Sequence, residues 1–459
     1  MNNTYLTTGN VFKSISIFAV PMLIGNILQQ LYNIIDTWVV GKYINSDALA
    51  AVGAVFALMV FITSILIGLC MGSGVVFAQD YGRKDFAVLQ RRIGTAFIGI
   101  GIITVVITVL TACKMDLLLQ WLNIPAEIYD TTLDYLRIMI VGIPAVFVYN
   151  FFAAYLKSLG NSVTPLVYLA VSAVVNIILD LLFVLSFGMG VKGAALATVI
   201  AQYISGLGCG VHVILKSEYA RNAFTHISIR AEDIRILFSY SFYTCLQQSV
   251  MNLGILMVQG IVNSYGTVVM TAFAAGVKID AFAYMPAQEY GNAFSTFLAQ
   301  NYGANKMDRF RQGIRVGIIT SAVYCAAASL VLWIFAKKLM LIFIPESKTE
   351  IINIGVQYLH IEGAFYIGIG ILFLLYGLYR AMGRPQMSLI LTIISLGTRV
   401  VIAKAVSVSD MVGCADRLVS CRYCRNYLLL ILQKKSETLK MPPGTFVSNG
   451  ILLYNGPPN

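Results

Sequence analysis

Eleven long apolar stretches constrain this chain more than any other feature. Each holds about 20 residues or more, the length that an α-helix needs to cross the hydrocarbon core of a bilayer. They occupy residues 14–39, 49–78, 93–112, 135–156, 163–186, 192–215, 236–262, 268–298, 314–335, 354–379 and 386–406. Only 12% of the residues are charged, about half the fraction found in soluble proteins. The sequence therefore predicts an all-α integral membrane protein.

The loops between these stretches differ in charge on the two sides of the membrane. Sixteen Lys and Arg residues fall on one side and six on the other. Because Lys and Arg accumulate in cytoplasmic loops, we predict a cytoplasmic N-terminus. The same bias accounts for the net charge of +11, so we expect the lipid bilayer, and not nucleic acid, as a partner.

Three motifs recur in order at nearly constant spacing. The pairs are residues 78–82 and 299–303 (AQDYG and AQNYG), 156–160 and 378–383 (LKSLG and LYRAMG), and 28–30 and 246–248 (LQQ in both). Repeats of six helices enter the membrane the same way up, which predicts two lobes related by a pseudo-two-fold axis, with a central cavity between them. We predict an N-terminal lobe at 1–215, a cytoplasmic linker at 216–235, a C-terminal lobe at 236–406 and an atypical tail at 407–459.

The first apolar stretch carries polar side chains on one helical face. They are Asn26, Gln29, Gln30, Asn33 and Asp36. Polar groups facing lipid would lack hydrogen-bond partners, so this face is expected to line a bundle interior or a wet cavity. Pro21 removes a backbone hydrogen bond and can bend the helix. The alternative is that the amides only join helices and that the proline makes a static kink.

Two carboxylates lie in the middle of apolar stretches, Asp36 in the first and Asp180 in the fifth. Each costs about 2.5–3.5 kcal/mol near a helix centre, which favours a functional role. Removal from water favours the protonated form of a carboxyl group, so the pair could exchange a proton. With oxygens from Asn176 and Thr198 it could instead hold Na⁺. The alternative is a buried network that neighbouring Asn and Ser side chains satisfy.

The second repeat lacks a counterpart to Asp36, because Gly254 occupies the equivalent position. Its polar residues are neutral glutamines and a stripe on the eighth stretch. The candidate cavity residues of the whole chain are Gln30, Asn33, Gln247, Gln248, Lys278, Asp280 and Tyr284. A Lys278–Asp280 pair whose lysine reaches toward the membrane surface is the alternative for the eighth stretch.

Motifs for catalysis or cofactor binding are not found. The three histidines are scattered, and the pair Cys421 and Cys424 has no second pair to complete a zinc site. We therefore predict no enzymatic activity, no cofactor and no bound metal beyond a coupling Na⁺.

The residues from Pro21 to Asp36, the two YG loops and residues 176–180 (NIILD) resemble the multidrug and toxic compound extrusion (MATE) family. The similarity covers about residues 10–403 and is greatest to prokaryotic DinF-like members. It implies a monomeric exporter of small organic, often cationic, compounds in the plasma membrane of a prokaryote, driven by H⁺ or Na⁺.

The same resemblance assigns residue roles. Asp36, Asn176, Asp180 and Thr198 would form the H⁺ or Na⁺ site, and the first helix would bend at Pro21. NorM-like members have a glutamate in the seventh helix, where this chain has Gln247 and Gln248. The resemblance therefore favours coupling in the N-terminal lobe alone.

The chain departs from the family pattern at its end. A twelfth helix is expected, but residues 404–425 hold charged residues and three cysteines, and no long apolar run follows Val406. The segment resembles an out-of-frame or rearranged tail, with a re-entrant or cytoplasmic segment as the alternative.

Three other functions are open at this point. A flippase for lipid-linked saccharides shares the two-lobed layout but is expected to have several cationic groups in its cavity. A membrane-embedded enzyme would need a catalytic constellation. An inactive variant would follow if the altered tail disrupts the second lobe.

Overall fold

The computed structural model describes residues 6–44, 46–122, 124–263, 266–405, 445–448 and 451–454. Helices occupy nearly all of the first four ranges. The helices are α1 (Val11–Tyr43), α2 (Ser46–Arg83), α3 (Phe86–Cys113), α4 (Met115–Trp121), α5 (Ala126–Ser158), α6 (Val163–Leu181), α7 (Gly190–Lys216), α8 (Glu218–Thr225), α9 (Ala231–Asn263), α10 (Thr267–Gly303), α11 (Met307–Met340), α12 (Thr349–Ala364), α13 (Tyr366–Ala381) and α14 (Pro385–Ala405). A π-helical turn, Leu182–Ser186, follows α6 directly.

Helices cover the eleven apolar stretches predicted from the sequence as far as Ala405, with two helices, α12 and α13, over the tenth. Eight described helices are long and apolar enough to cross a bilayer. Helices α12 and α13 together make a ninth candidate, bent by 50°, where one continuous helix was predicted over 354–379. Gly363 weakens the helix next to this break. The all-α membrane fold is confirmed, whereas the number of eleven or twelve spans remains a prediction.

Apolar side chains form three clusters in the bundle. One joins α2, α3, α5 and α7, a second joins α10 to α13, and a third lies between these two groups. The third cluster packs Phe18 of α1 and Val75 of α2 with Phe294 and Phe297 of α10. We call helices α1–α7 the first half and helices α9–α14 the second half. Apolar packing therefore holds the two halves together as well as filling each of them.

The repeated motifs adopt the same backbone conformation in both halves. The turn after α2 contains Lys84 with φ 61°, and the turn after α10 contains Asn305 with φ 55°. Helices α5 and α13 are followed by Gly160 with φ 86° and Gly383 with φ 79°. Glycine adopts this left-handed conformation without a steric penalty from Cβ and so ends both helices alike. The internal repeat predicted from the sequence is thus visible as matching helix ends.

The two AQxYG segments (residues 78–82 and 299–303) contact each other, backbone against backbone. We call this the YG contact. A Cβ atom on Gly82 would overlap the carbonyl oxygen of Gln300, and one on Gly303 would overlap the carbonyl oxygen of Gln79. Only glycine lets two helix ends approach this closely.

The glutamines of the YG contact bind across the two halves. The Gln79 amide Nε2 donates to the carbonyl oxygen of Ala381 at 2.9 Å. In the reciprocal bond, Gln300 Nε2 donates to the carbonyl oxygen of Ser158 at 2.7 Å. Each half therefore satisfies the terminal carbonyl group of a helix in the other half.

A buried ionic cluster ties the start of α9 to the first half. Arg92 of α3 donates to both carboxylate oxygens of Asp80 at 2.7 and 2.8 Å and to Asp233 of α9 at 2.9 Å. Arg91 also pairs with Asp233. Both carboxylates are almost fully buried, so these charges stabilise the fold only as a set.

The start of α1 is tied in turn to the second half. Arg309 of α11 donates to the carbonyl oxygens of Leu6 at 3.1 Å and Thr8 at 2.7 Å. Lys306 Nζ donates to the carbonyl oxygen of Thr7 at 2.9 Å. The first helix of each half is thus anchored, at its beginning, on the other half.

Residues 402–459 form a separate unit. Its described residues are 402–405 at the end of α14 and an antiparallel hairpin of β1 (Thr445–Ser448) and β2 (Ile451–Tyr454), with Thr445 opposite Tyr454. Residues 406–444, where the twelfth helix or a rearranged tail was predicted, lie outside the described residues. The Cys421 and Cys424 pair lies there too.

Candidate functional site

The two carboxylates predicted to act together lie inside the first half. Asp180 faces inward from α6 and is fully buried, as is Asn176 one turn earlier. Asp36 projects from α1, which packs against α6. Asp36 and Asp180 are close enough to interact electrostatically with each other and with the hydroxyl groups of Tyr32 and Tyr135. The structure thus brings both carboxylates to one site.

Thr198 of α7 completes the predicted set. The Asn176 amide Nδ2 donates to Thr198 Oγ1 at 3.5 Å, a long hydrogen bond. Nearby, Ser172 Oγ donates to the carbonyl oxygen of Ala201 at 2.9 Å and joins α6 to α7. The π-helical turn begins two residues after Asp180. Such turns occur often at functional sites.

Half of the buried side-chain oxygens that lack a hydrogen-bond partner in the described residues, four of eight, belong to this site. In the described part of the chain, Oδ1 of Asp36, Oδ1 of Asn176 and both carboxylate oxygens of Asp180 are buried without a hydrogen-bond partner. Buried acceptors normally have one, and a buried unpaired carboxylate is costly. A proton on a carboxyl group or a small cation would satisfy them, and an all-oxygen set of carboxylate, amide and hydroxyl groups suits a hard cation.

The polar face of α1 is divided between this site and two cavities. Cavity I, of about 300 Å³, is lined by Asn26 and Gln29 of α1. Cavity II, of about 380 Å³, is lined by Asn26, Gln30 and Asn33. Asp36 lines neither and points into the first half instead. Asp36 lies at one edge of the predicted polar face, turned about 80° around the helix from Asn26, so the face borders a bundle interior as well as the cavities.

Both cavities lie between the two halves. Cavity II is lined by α1, α10 and Phe343, with Lys278 and Trp38 among its residues. Cavity I is lined by α1, α2, α5, α6, α9, α10 and α13, with Pro21 and Gln248 among its residues. Asn26 belongs to both, so the cavities follow one another along α1. Of the predicted cavity residues, Gln30, Asn33, Gln248 and Lys278 are placed here.

Three other predicted cavity residues do not line either of these cavities. Asp280 is buried and accepts a hydrogen bond from the Tyr366 hydroxyl group, inside the second half. Tyr284 packs against the apolar cluster of the second half. Gln247 is buried in α9, while its neighbour Gln248 lines cavity I. Side chains of consecutive helical residues point about 100° apart, so Gln248 can line the cavity while Gln247 is buried in the bundle.

Three charged residues of cavity I were not predicted to line it. Lys157, Glu289 and Arg380 all line it. By sequence, Lys157 and Arg380 belong to the sixteen cationic residues of the predicted cytoplasmic loops, because each lies at or close to the end of an apolar stretch. One sequence feature indicates that Lys157 and Arg380 lie close to the same place. Both stand three residues before the glycine of the repeated motif, Gly160 or Gly383.

Helices that span the bilayer in two repeated halves, with polar cavities between the halves and a buried carboxylate pair beside them, define a membrane transporter. Comparison with known proteins agrees. The MatE family model matches residues 21–182 and 241–404. The chain belongs to the MatE family, whose members are transporters and not enzymes.

Two multidrug resistance or export proteins of bacteria are similar to this chain over most of their length. The probable multidrug resistance protein YpnP of Bacillus subtilis is 29% identical over 389 residues, which is 85% of this chain and 86% of the relative. The multidrug export protein MepA of Staphylococcus saprophyticus is 23% identical over 394 residues, 85% and 86% of the two chains. A crystal structure of a MATE protein in the bent conformation superimposes with a TM-score of 0.80 at 21% identity, covering 86% of this chain and 87% of the other. The structural likeness shows the shared fold.

Proposed function

We propose that the chain is a secondary antiporter that exports organic compounds in exchange for H⁺ or Na⁺ bound at Asp36, Asn176, Asp180 and Thr198. The observation that carries the proposal is the set of buried oxygens without donors at the two carboxylates. Two relatives named as multidrug resistance or export proteins support the direction and the kind of substrate. With the N-terminus in the cytoplasm of a bacterial cell, the YG contact lies on the inner side of the plasma membrane.

Coupling requires that ion and substrate favour different conformations, because a ligand shifts an equilibrium only by its unequal affinity for the two states. Binding of H⁺ or Na⁺ removes the repulsion between Asp36 and Asp180 and so favours closer packing of α1 on α6. Pro21 lies in α1 between this site and the N-terminal anchor, and it is the proposed hinge. One charge that moves down a potential of 100 mV supplies about 2.3 kcal/mol, which sustains roughly a fifty-fold substrate gradient.

The test is efflux of a fluorescent dye from proteoliposomes under an imposed proton or sodium gradient. We expect Asp36→Asn to lower gradient-driven efflux at least tenfold. An amide neither takes up a proton nor carries the negative charge that attracts Na⁺. Asp180→Asn is expected to do the same. The double variant should be no worse than either single variant, since residues of one site are not additive.

The matched control is Asp280→Asn. Asp280 is also a buried carboxylate, but it accepts a hydrogen bond from Tyr366 in the second half. Its substitution is expected to retain gradient-driven efflux in the fraction that folds, as judged by size-exclusion chromatography. Unchanged gradient-driven efflux in Asp36→Asn would overturn the assignment of the coupling site.

A further inference from the structure

Cavity I receives one cationic side chain from each half of the molecule. Lys157 lies on the last turn of α5 and Arg380 on the last turn of α13. Each stands three residues before the glycine that ends its helix, and both line the cavity. The internal repeat therefore places two cations at equivalent positions around a single space.

The two cations sit beside the YG contact. Gln300 binds the carbonyl oxygen of Ser158, the residue after Lys157. Gln79 binds the carbonyl oxygen of Ala381, the residue after Arg380. The backbone that carries both cations is thus held by the contact that closes one end of the bundle, and the cations form that end of cavity I.

Arg380 is buried and held in place. Its Nε donates to the carbonyl oxygen of Tyr376 at 3.2 Å, and its Nη2 donates to Asn292 Oδ1 at 3.1 Å. The Asn292 amide Nδ2 in turn donates to Glu289 Oε1 at 3.3 Å. A guanidinium group fixed in this way retains N–H donors for a carboxylate or phosphate group.

The charges of the two cavities do not suit a cationic substrate. Among the described residues that line cavity I, Glu289 is the one carboxylate, against Lys157 and Arg380. In the part of the chain that the structure describes, the one ionisable residue lining cavity II is Lys278. The other carboxylates of the transmembrane region that were candidates for a cation, Asp36 and Asp180, point into the first half. A desolvated organic cation would meet an excess of positive charge in cavity I and a lysine in cavity II, at an energetic cost.

We infer that cavity I selects substrates with an anionic group, such as a carboxylate, sulfonate or phosphate, and that Lys157 and Arg380 bind this group from opposite halves. Glu289, next to Arg380, suits a second, cationic group on the same molecule, so zwitterions fit as well. The inference deepens the proposed export function and rests on it for the role of cavity I. It replaces the expectation, drawn from the family resemblance, of mainly cationic substrates.

The test is equilibrium binding to the purified full-length protein in detergent, without any ion gradient. Fluorescence anisotropy is measured with carboxyfluorescein as the anion and rhodamine 6G as a cation of similar size. We expect carboxyfluorescein to bind more tightly than rhodamine 6G. Lys157→Gln should weaken carboxyfluorescein about tenfold or more, the effect of one hydrogen bond to a charged group, and should not weaken rhodamine 6G.

Three further variants separate charge from folding. Lys157→Arg keeps the charge and should restore carboxyfluorescein binding. Glu289→Gln removes the carboxylate and should tighten it. Lys13→Gln makes the same change of net charge on the exposed start of α1, outside both cavities, and should have no effect.

Competition by benzoate or by phosphatidylglycerol then tells a soluble anion from an anionic lipid headgroup, and either result supports the inference.

The inference is overturned if rhodamine 6G binds as tightly as carboxyfluorescein, or if Lys157→Gln leaves carboxyfluorescein binding unchanged. Its failure differs from that of the proposed coupling mechanism. Loss of gradient-driven efflux in Asp36→Asn together with a preference for the cation would refute the substrate class alone. Unchanged efflux in Asp36→Asn together with weaker anion binding in Lys157→Gln would refute the coupling site alone.

Discussion

Ion pairs in this protein contribute very different amounts to the free energy of unfolding. Arg92 is nearly buried and bonds to the carboxylates of Asp80 and Asp233, whereas Lys192 and Asp134 form a pair with exposed fractions of 58% and 36%. Removing one partner of a buried ion pair costs about 3–5 kcal/mol, because the remaining charge is left desolvated. An exposed pair contributes about 0–1 kcal/mol.

We therefore expect Arg92→Gln to destabilise the protein by about 3–5 kcal/mol. The measurement is the midpoint of thermal unfolding in detergent, followed by the fluorescence of a thiol-reactive dye. Lys192→Gln serves as the control and should shift the midpoint little. Equal midpoints for the two variants would show that the ionic cluster at the start of α9 does not hold the halves together.

Residue-scale reasoning from the sequence singles out the two carboxylates, because a charge in an apolar stretch is costly. It does not place Lys157, Glu289 or Arg380 at a cavity. These residues lie near helix ends, where charges are common, and only the packing of the two halves brings them to one cavity. Tyr32 and Tyr135 were missed for a related reason, since aromatic residues occur throughout membrane helices.

Helix α1 shows what a periodic pattern can and cannot predict. The polar residues of its stretch predicted an inward face, and the structure places Asn26, Gln30 and Asn33 at cavities. The same pattern does not separate Asp36 from the residues that line the cavities. Asp36 is turned about 80° around the helix from Asn26, which is less than the roughly 100° between consecutive residues. Likewise, hydropathy predicted a single helix at 354–379, although it breaks at Phe365, since the apolar character continues across the bend.

Pro21 gives α1 a position where bending costs little. It provides no N–H group to the carbonyl oxygen of Ile17, four residues earlier. Pro21→Ala supplies that donor and improves intrinsic helix stability by about 3 kcal/mol. We expect turnover in proteoliposomes to fall severalfold while the unfolding midpoint does not decrease.

The control for this prediction is Pro144→Ala. Pro144 lies inside α5 and does not line cavity I or cavity II, so turnover should persist. If Pro21→Ala transports as fast as the unmodified protein, bending at this residue is not part of the cycle.

At the scale of the whole molecule, the two halves are joined by reciprocal contacts that obey the internal repeat. The YG contact, the paired glutamines and the two anchored helix starts all lie at one end of the bundle, while the cavities follow α1 toward the other. Alternating access by rocking of the halves would require this set of contacts to open. The glycines are its most sensitive part, because backbone approaches backbone there.

Gly303→Ala would place a methyl group against the carbonyl oxygen of Gln79, which cannot rotate away as a side chain would. Overpacking of this kind costs about 1–3 kcal/mol, or roughly fivefold to 150-fold in the equilibrium between the closed and open arrangements. The measurement is the distance between spin labels at Ala87 and Asp308, exposed residues at the starts of α3 and α11. We expect the long-distance population to grow in Gly303→Ala and in Gly82→Ala. Gly99→Ala, where a Cβ atom would meet open space, should leave the distance distribution unchanged; the same unchanged distribution in Gly303→Ala would mean that the YG contact does not control opening.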